Sequence, residues 1–209
     1  MEVGKINIDL DKEWELRDFS TMTKEYGQLY SVFYVLQSVS EDYYLGLDFS
    51  RYPWGGGYSV VNFFQRSYSL TPPDHRLQIT KIQYASPGFV ELSGVLGIAV
   101  DVSILISTLC GSALALSRTY NSIIKAYHER RLGKIKIKEA ESRLIRDDIE
   151  FIHQSVRTLS NDYKLKPEHI RALKKITNGN ELVQLKILLA LYRRAYPIVE
   201  QQKDGKTKV

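Results

Sequence analysis

The feature that most constrains this chain is an apolar run at residues 98–117, IAVDVSILISTLCGSALALS. Between Leu92 and Ser117 the only charged side chain is Asp101. The run is long enough for a membrane span, which needs about 20 residues, but an aspartate inside a membrane helix costs about 2.5–3.5 kcal/mol. A helix that is apolar on nearly all sides is buried either in lipid or in protein. We predict burial in protein, with insertion of residues 89–117 into a membrane as the alternative.

Small and polar residues recur along this run at steps of three, four and seven residues. They are Gly94, Gly97, Asp101, Thr108, Ser112 and Ala115. Small residues on one helix face let another backbone approach closely. A core that surrounds such a helix is large for a chain of 209 residues, and neighbouring copies of the chain would supply it. These six residues are therefore the predicted interface of a homo-oligomer, with Asp101 on the packed stripe.

The remaining periodicity predicts a mainly α protein with a small α+β N-terminal part. Residues 5–10 alternate as in a strand, and apolar residues from Phe19 to Leu36 recur at helical spacing. A short helix at 59–68 and a strand at 77–84 follow, and a change of parity within that strand predicts a bulge or a twist.

The second half reads as helix almost to its end. Ser86 is a predicted N-cap and Pro87 suits the first helical position, so a long central helix is expected from there. Further helices are predicted at about 136–163, from Pro167 and after Asn180, forming a bundle or coiled-coil-like region. The polar tail at 201–209 is expected to fray. The predicted domains are residues 1–85, a small α+β domain, and residues 86–209, a helical oligomerisation region.

An aromatic segment at residues 40–57 has two interpretations. It contains the triplet Gly55, Gly56 and Gly57, which lacks the lysine and the Ser/Thr of a phosphate-binding loop. Its aromatic side chains either pack onto the core or form a surface for a protein partner through Trp54 and the adjoining Tyr58, because aromatics are enriched at interfaces.

Charge is distributed unevenly along the chain. Residues 1–50 carry a net charge of −6, residues 51–117 of +1 and residues 118–209 of +10. The acidic and basic parts are expected to attract each other, within one chain or between chains. The predicted basic patch comprises Lys134, Lys136, Lys138, Arg143 and Arg146. Nonspecific nucleic-acid binding by this patch is a further alternative, but no aromatic stacking pattern accompanies it, so nucleic acid is not the favoured partner.

No pattern of known catalytic chemistry is present in the sequence. The four histidines are scattered, and neither H-E-x-x-H nor G-x-S-x-G occurs. The single cysteine, Cys110, excludes a disulfide within the chain and a metal site built from several cysteines. The N-terminus lacks the basic and apolar regions of a secretion signal. We therefore predict a non-enzymatic cytoplasmic protein with no cofactor and no metal.

Two stretches, WGGGYSVVNFF (54–64) and IQYASPGFVEL (82–92), resemble signatures of small uncharacterised bacterial proteins. In these proteins a short N-terminal part precedes an SPG turn and a long helical segment, and similar layouts occur in mobile elements and anti-phage defence loci. The resemblance covers most of the chain, assigns no site residues and implies an accessory or effector role. The combined prediction is a self-assembling scaffold, adaptor or signal-responsive oligomer in bacterial anti-phage defence, with a membrane-active effector as the alternative.

Overall fold

The computed structural model describes residues 2–41, 49, 52, 54, 59–134 and 144–208. The strands are β1 (Val3–Leu10), β2 (Gln78–Gln83), β3 (Gly88–Val95) and β4 (Thr207–Lys208). The helices are α1 (Leu16–Ser40), α2 (Ser59–Leu70), α3 (Leu96–Gly111), α4 (Ala113–Glu129), α5 (Arg146–Asp162), α6 (Pro167–Ile176) and α7 (Glu181–Lys203), and short 3-10 turns lie at Pro73–His75 and Leu132–Lys134. The prediction of a mainly helical chain with a small β component is confirmed.

The four strands form one antiparallel sheet in the order β2-β3-β1-β4. β1 pairs with β3 along its whole length, and its end pairs with β4, where Leu10 lies opposite Thr207. The register of β2 against β3 shifts between Ile79 and Lys81, so the predicted irregularity within this strand is confirmed. Residues of both predicted domains contribute to this sheet, since β2 and β3 lie on either side of residue 85.

The expected helix from Ser86 is wrong over its first part, where the chain turns and forms β3. Ser86 and Pro87 belong to the turn between β2 and β3, and Gly88 is required there because a Cβ atom would lie 2.4 Å from the carbonyl oxygen of Gln83. Val90 and Leu92 then alternate with more exposed residues, which is the period of a strand. Ser, Pro and Gly are turn residues as well as helix-cap residues, and the contacts with β1 and β2 decide the outcome.

The expected long central helix is also divided near its middle. Helix α3 ends at Gly111 and α4 begins at Ala113, with an angle of 94° between them. Glycine and serine are weak helix formers, which explains the position of the break. No single helix among the described residues is both long and apolar enough to cross a membrane. The bent pair α3 and α4 has the necessary length and apolarity only when its two helices are taken together.

The helix that neighbouring elements surround is α7, not the apolar run. Every residue from Leu182 to Tyr192 is buried, and α7 contacts α1, α3 and α5. The chain itself therefore supplies the environment of its most buried helix. Helix α3 contributes buried residues to the same core on one side, while Val100 and Ile104 on its other side remain exposed.

The C-terminal tail is ordered by contacts with the N-terminal part, so the expected fraying is wrong. Beyond α7, Lys206 forms an ion pair of 2.5 Å with Asp18, and β4 pairs with β1. Arg194 of α7 forms a second ion pair, of 2.8 Å, with Glu25 of α1. Two attractions between the acidic and the basic parts are thus satisfied within one chain.

Candidate functional site

The six residues predicted as an oligomer interface do not share one surface. Gly94 lies in β3 and is enclosed, because a Cβ atom there would lie 2.9 Å from Leu77 Cδ1 and 3.0 Å from Tyr30 Oη. Asp101 is buried, Thr108 is half-buried, and Gly97, Ser112 and Ala115 are exposed. The prediction assumed a single straight helix from Gly94 to Ala115, and the strand and the bend both change the faces on which these residues lie.

Asp101 finds its partners within the chain. Its Oδ1 atom lies 2.8 Å from Lys166 Nζ, and its Oδ2 atom lies 3.3 Å from His169 Nε2, both on the neighbouring segment 166–169 at the start of α6. Burial raises the pKa of Asp101, but His169 and Lys166 together outweigh burial, so the pKa is lowered from its ordinary value. Asp101 is therefore a carboxylate that holds α3 against α6.

The Asp101–His169 pair is enclosed by the fold. The side chains are 3% and 1% exposed, and the edge of the Phe33 ring packs against the imidazole with 5.3 Å between ring centroids. His169 Nε2 faces Asp101 Oδ2 at 3.3 Å without the geometry of a hydrogen bond, and Nδ1 has no hydrogen-bond partner among the described residues. A general base must come within hydrogen-bond reach of its substrate, and this enclosure indicates a packing role instead. Sequence reasoning missed the pair because nothing in the sequence connects positions so far apart.

The exposed side of α3 forms a continuous uncharged surface, here called the α3 outer face. It consists of Gly97, Val100, Ile104, Ser107 and Gly111, spaced alternately by three and four residues. Val100 is 50% exposed and Ile104 is 38% exposed, and beyond the bend Leu114 at the start of α4 is 78% exposed. Such spacing places all five residues on one side of a helix.

Gly97 of the α3 outer face is not explained by the chain's own structure, and Gly111, which ends the helix, is required there neither by a contact nor by its φ angle. No described heavy atom lies within 4 Å of a Cβ atom built on Gly97 or on Gly111, apart from chain neighbours and local helix backbone. Neither residue has the positive φ that favours glycine. Glycine is less favourable than alanine in a helix by about 0.5–1 kcal/mol. Close approach of a partner's backbone is a physical reason for two glycines on one exposed face.

Trp54 lies in the core, whereas the partner-surface hypothesis required its ring to be accessible. The side chain is 7% exposed, and its Nε1 atom donates a hydrogen bond of 3.2 Å to the carbonyl oxygen of Ile176. The rings of Tyr52 and Phe63 contact it with centroid distances of 4.7 Å and 5.4 Å. The packing interpretation is therefore the better one for Trp54. Tyr58 lies outside the described residues.

Most of the predicted basic patch lies outside the described part of the chain. Lys136, Lys138 and Arg143 are not described, and Lys134 is described only as the last residue of a 3-10 turn. Arg146 begins α5 and is exposed. Nearby, Arg130 forms an ion pair of 2.8 Å with Asp148, a contact that the charge pattern did not predict.

Within the described residues, no group of three or more His, Cys, Asp or Glu side chains is arranged to hold a metal ion. No protein-family model matches this chain, and comparisons with curated proteins and with solved structures found no match either.

Proposed function

We propose that this chain is a non-enzymatic scaffold or adaptor that assembles with a second copy of itself through the α3 outer face. The observation that carries the proposal is an exposed, uncharged helix face that holds Gly97, for which the chain offers no explanation, and Gly111 at the end of the helix. Glycine on a contact face reduces the distance at which two helices pack.

The spacing of this face suits a second copy more than an unrelated partner. Gly97, Ile104 and Gly111 are seven residues apart, which is about 10 Å along the helix axis for each step. If two copies cross antiparallel about a two-fold axis next to Ile104, Gly97 of each copy lies opposite Gly111 of the other. The same surface is then used twice, as a two-fold symmetric interface requires.

The coiled-coil-like association expected from the sequence takes a specific form in this proposal. It involves α3 of each copy, and not a long helix from Ser86, since the chain forms a strand at Gly88–Val95. The apolar side chains Val100 and Ile104 supply the buried area.

Sedimentation velocity on the full chain tests this interface. Ile104→Glu places a charge at the proposed symmetry axis, and the matched control Ile149→Glu places the same charge on an exposed isoleucine of α5. We expect a dimer for the native chain and for the control, and a monomer for Ile104→Glu at the same concentration. A native chain that stays monomeric at about 100 μM, or an Ile104→Glu variant that dimerises normally, contradicts the proposal.

A membrane-active effector is the second candidate, favoured by the combined apolarity of the bent pair α3 and α4. Flotation with liposomes distinguishes the two candidates, because the scaffold stays in the aqueous fraction whereas the effector floats with the vesicles.

The role in anti-phage defence rests on the resemblance of residues 54–64 and 82–92. Plaque counts on bacteria that express the native chain or Ile104→Glu test this role and its dependence on assembly.

A further inference from the structure

A cavity of about 570 Å³ lies between the N-terminal half of α1, the end of α2 and one face of the sheet. Its apolar residues include Ile8 and Leu92 from the sheet and Met22 from α1, all of them buried. Exposed residues such as Lys24 and Tyr68 also line it, so the cavity reaches the protein surface. Ligand pockets in proteins usually have volumes of about 300–1,000 Å³, apolar walls and a few polar groups.

Gly27 keeps part of this volume free. It lies within α1, it lines the cavity, and no described heavy atom other than its chain neighbours and local helix backbone lies within 4 Å of a Cβ atom built there. Its φ is not positive, so the helix does not require glycine at this position. A larger residue would favour the helix but would occupy space next to the cavity.

Gln28, the next residue, supplies an unsatisfied acceptor. It lines the cavity, and its Oε1 atom is buried without a hydrogen-bond partner among the described residues. A buried carbonyl oxygen without a donor lowers stability, because the hydrogen bond that it makes to water in the unfolded chain is not replaced. Because this atom is closed to solvent, a ligand N–H or O–H group reaches it only after the Gln28 side chain turns toward the cavity, and the hydrogen bond formed then makes Gln28 the polar anchor of the site.

The remaining lining residues define the charge of the ligand. The polar ones are mainly neutral, namely Ser20, Thr23, Tyr26, Gln65, Tyr68 and Ser69. None of the described lining residues is acidic, so a cation finds no counter-charge, and Lys24 is exposed and solvated. We propose that this cavity binds an uncharged, largely apolar small molecule that donates a hydrogen bond to Gln28 Oε1.

Binding of the neutral fluorophore N-phenyl-1-naphthylamine to the full chain tests the site, because this probe is apolar and carries one N–H donor. Gly27→Leu fills the cavity, Gly27→Ala fills it only slightly, and Ile79→Trp adds bulk from a half-exposed residue of β2 that also lines it. Gln28→Met removes the acceptor with little change of shape, and its matched control is Gln154→Met on the exposed side of α5.

We expect saturable binding by the native chain, at least tenfold weaker binding by Gly27→Leu and Ile79→Trp, and a smaller loss for Gly27→Ala. Gln28→Met should weaken binding of the probe about tenfold. It should leave unchanged the dissociation constant of 1-phenylnaphthalene, which has no donor and whose affinity is obtained by competition with the probe. Absence of saturable binding by the native chain, or native-like binding by both filling variants in their folded state, overturns the site. Equal losses for both molecules in Gln28→Met overturn the hydrogen bond to Gln28.

Discussion

Asp101 on α3 and His169 on α6 face each other in the interior of the protein, with 3.3 Å between Asp101 Oδ2 and His169 Nε2. Lys166 completes the group from the surface side, 2.8 Å from the other carboxylate oxygen. The group joins two helices that are distant in the chain. Its negative member is the only charge in the apolar run, so the packing of that run depends on residues of α6.

Replacing Asp101 with asparagine should lower the free energy of unfolding by about 1–3 kcal/mol, because the buried imidazole of His169 loses its carboxylate partner and Lys166 loses its ion pair. Urea unfolding at pH 7 measures the loss. The control Asp74→Asn changes an exposed aspartate in a turn and should lie within about 0.5 kcal/mol of the native chain. If the two variants unfold at the same urea concentration, the ion pairs of Asp101 contribute nothing to stability.

The contribution of Asp101 should also disappear at low pH. Its pKa is lowered in the folded state from the ordinary value of 3.8, because His169 and Lys166 together outweigh the opposing effect of burial. A carboxyl group of this kind stabilises the fold above its unfolded pKa, and the effect is lost as the pH falls through the lower folded value. Urea unfolding between pH 5.5 and 3 should show the native chain and Asp101→Asn converging below about pH 3.8.

Lys186 on α7 is a buried cation whose removal should stabilise the fold. The residue is 8% exposed, and burial lowers its pKa. Lys186→Met keeps a flexible chain of similar length without a buried charge, so the free energy of unfolding should rise by about 1 kcal/mol. The advantage should shrink as the pH approaches 10.5, because the folded native chain then releases the proton more readily than the unfolded chain.

Thermal melting at neutral and alkaline pH checks the Lys186 prediction. The matched control is Lys174→Met, which alters an exposed lysine at the end of α6 and should change the melting temperature little. A lower melting temperature for Lys186→Met than for the control contradicts an unfavourable buried charge.

Trp54→Ala should lower the free energy of unfolding by about 3–5 kcal/mol, the usual cost of truncating a large buried aromatic side chain. Trp54→Phe should cost less, since it retains ring packing against Phe63 and loses the hydrogen bond to Ile176. Tyr84→Ala, at a tyrosine that is 78% exposed, is the control. Denaturant unfolding of the three variants separates packing from a partner role, because a pure partner surface predicts native-like stability for Trp54→Ala.

Assembly through the α3 outer face should depend little on salt. The face carries no charge, whereas ion pairs already engage Asp18 and Glu25 of the acidic part within the chain. Exposed charges are screened beyond about 10 Å at 0.1 M salt. Sedimentation velocity between about 50 and 500 mM NaCl should therefore show a stable or slightly stronger dimer. A dimer that dissociates as salt rises indicates head-to-tail charge attraction as the driving force instead.

Local sequence signals predicted the elements whose partners are also local. The helical spacing from Phe19 to Leu36 corresponds to α1, and Asn180 caps α7 by accepting a hydrogen bond from the backbone nitrogen of Val183. Elements defined by distant partners were predicted wrongly. β3 exists because it lies between β1 and β2, and the tail at Thr207 is ordered because β1 is beside it.

The candidate sites also divide into features set by local sequence, which were predicted, and features set by distant contacts, which were not. The apolar run was recognised as a buried element, but the orientation of its residues depends on the strand at Gly94 and on the bend at Ser112. The partner of Asp101 and the cavity beside Gly27 both arise from contacts between distant segments. Periodicity within a single segment carries no information about such contacts.

The pairing of β1 with β4 has a consequence for synthesis of this protein on the ribosome. Leu10 is paired with Thr207, and α1 packs against α7, so the first strand and the first helix complete their contacts only after synthesis has passed Thr207. At about 5–20 residues per second, roughly 8–30 s separate the synthesis of α1 from that of α7. During that interval the apolar residues of α1 have no native α7 surface to cover them, and exposed apolar surface of this kind favours aggregation of the nascent chain.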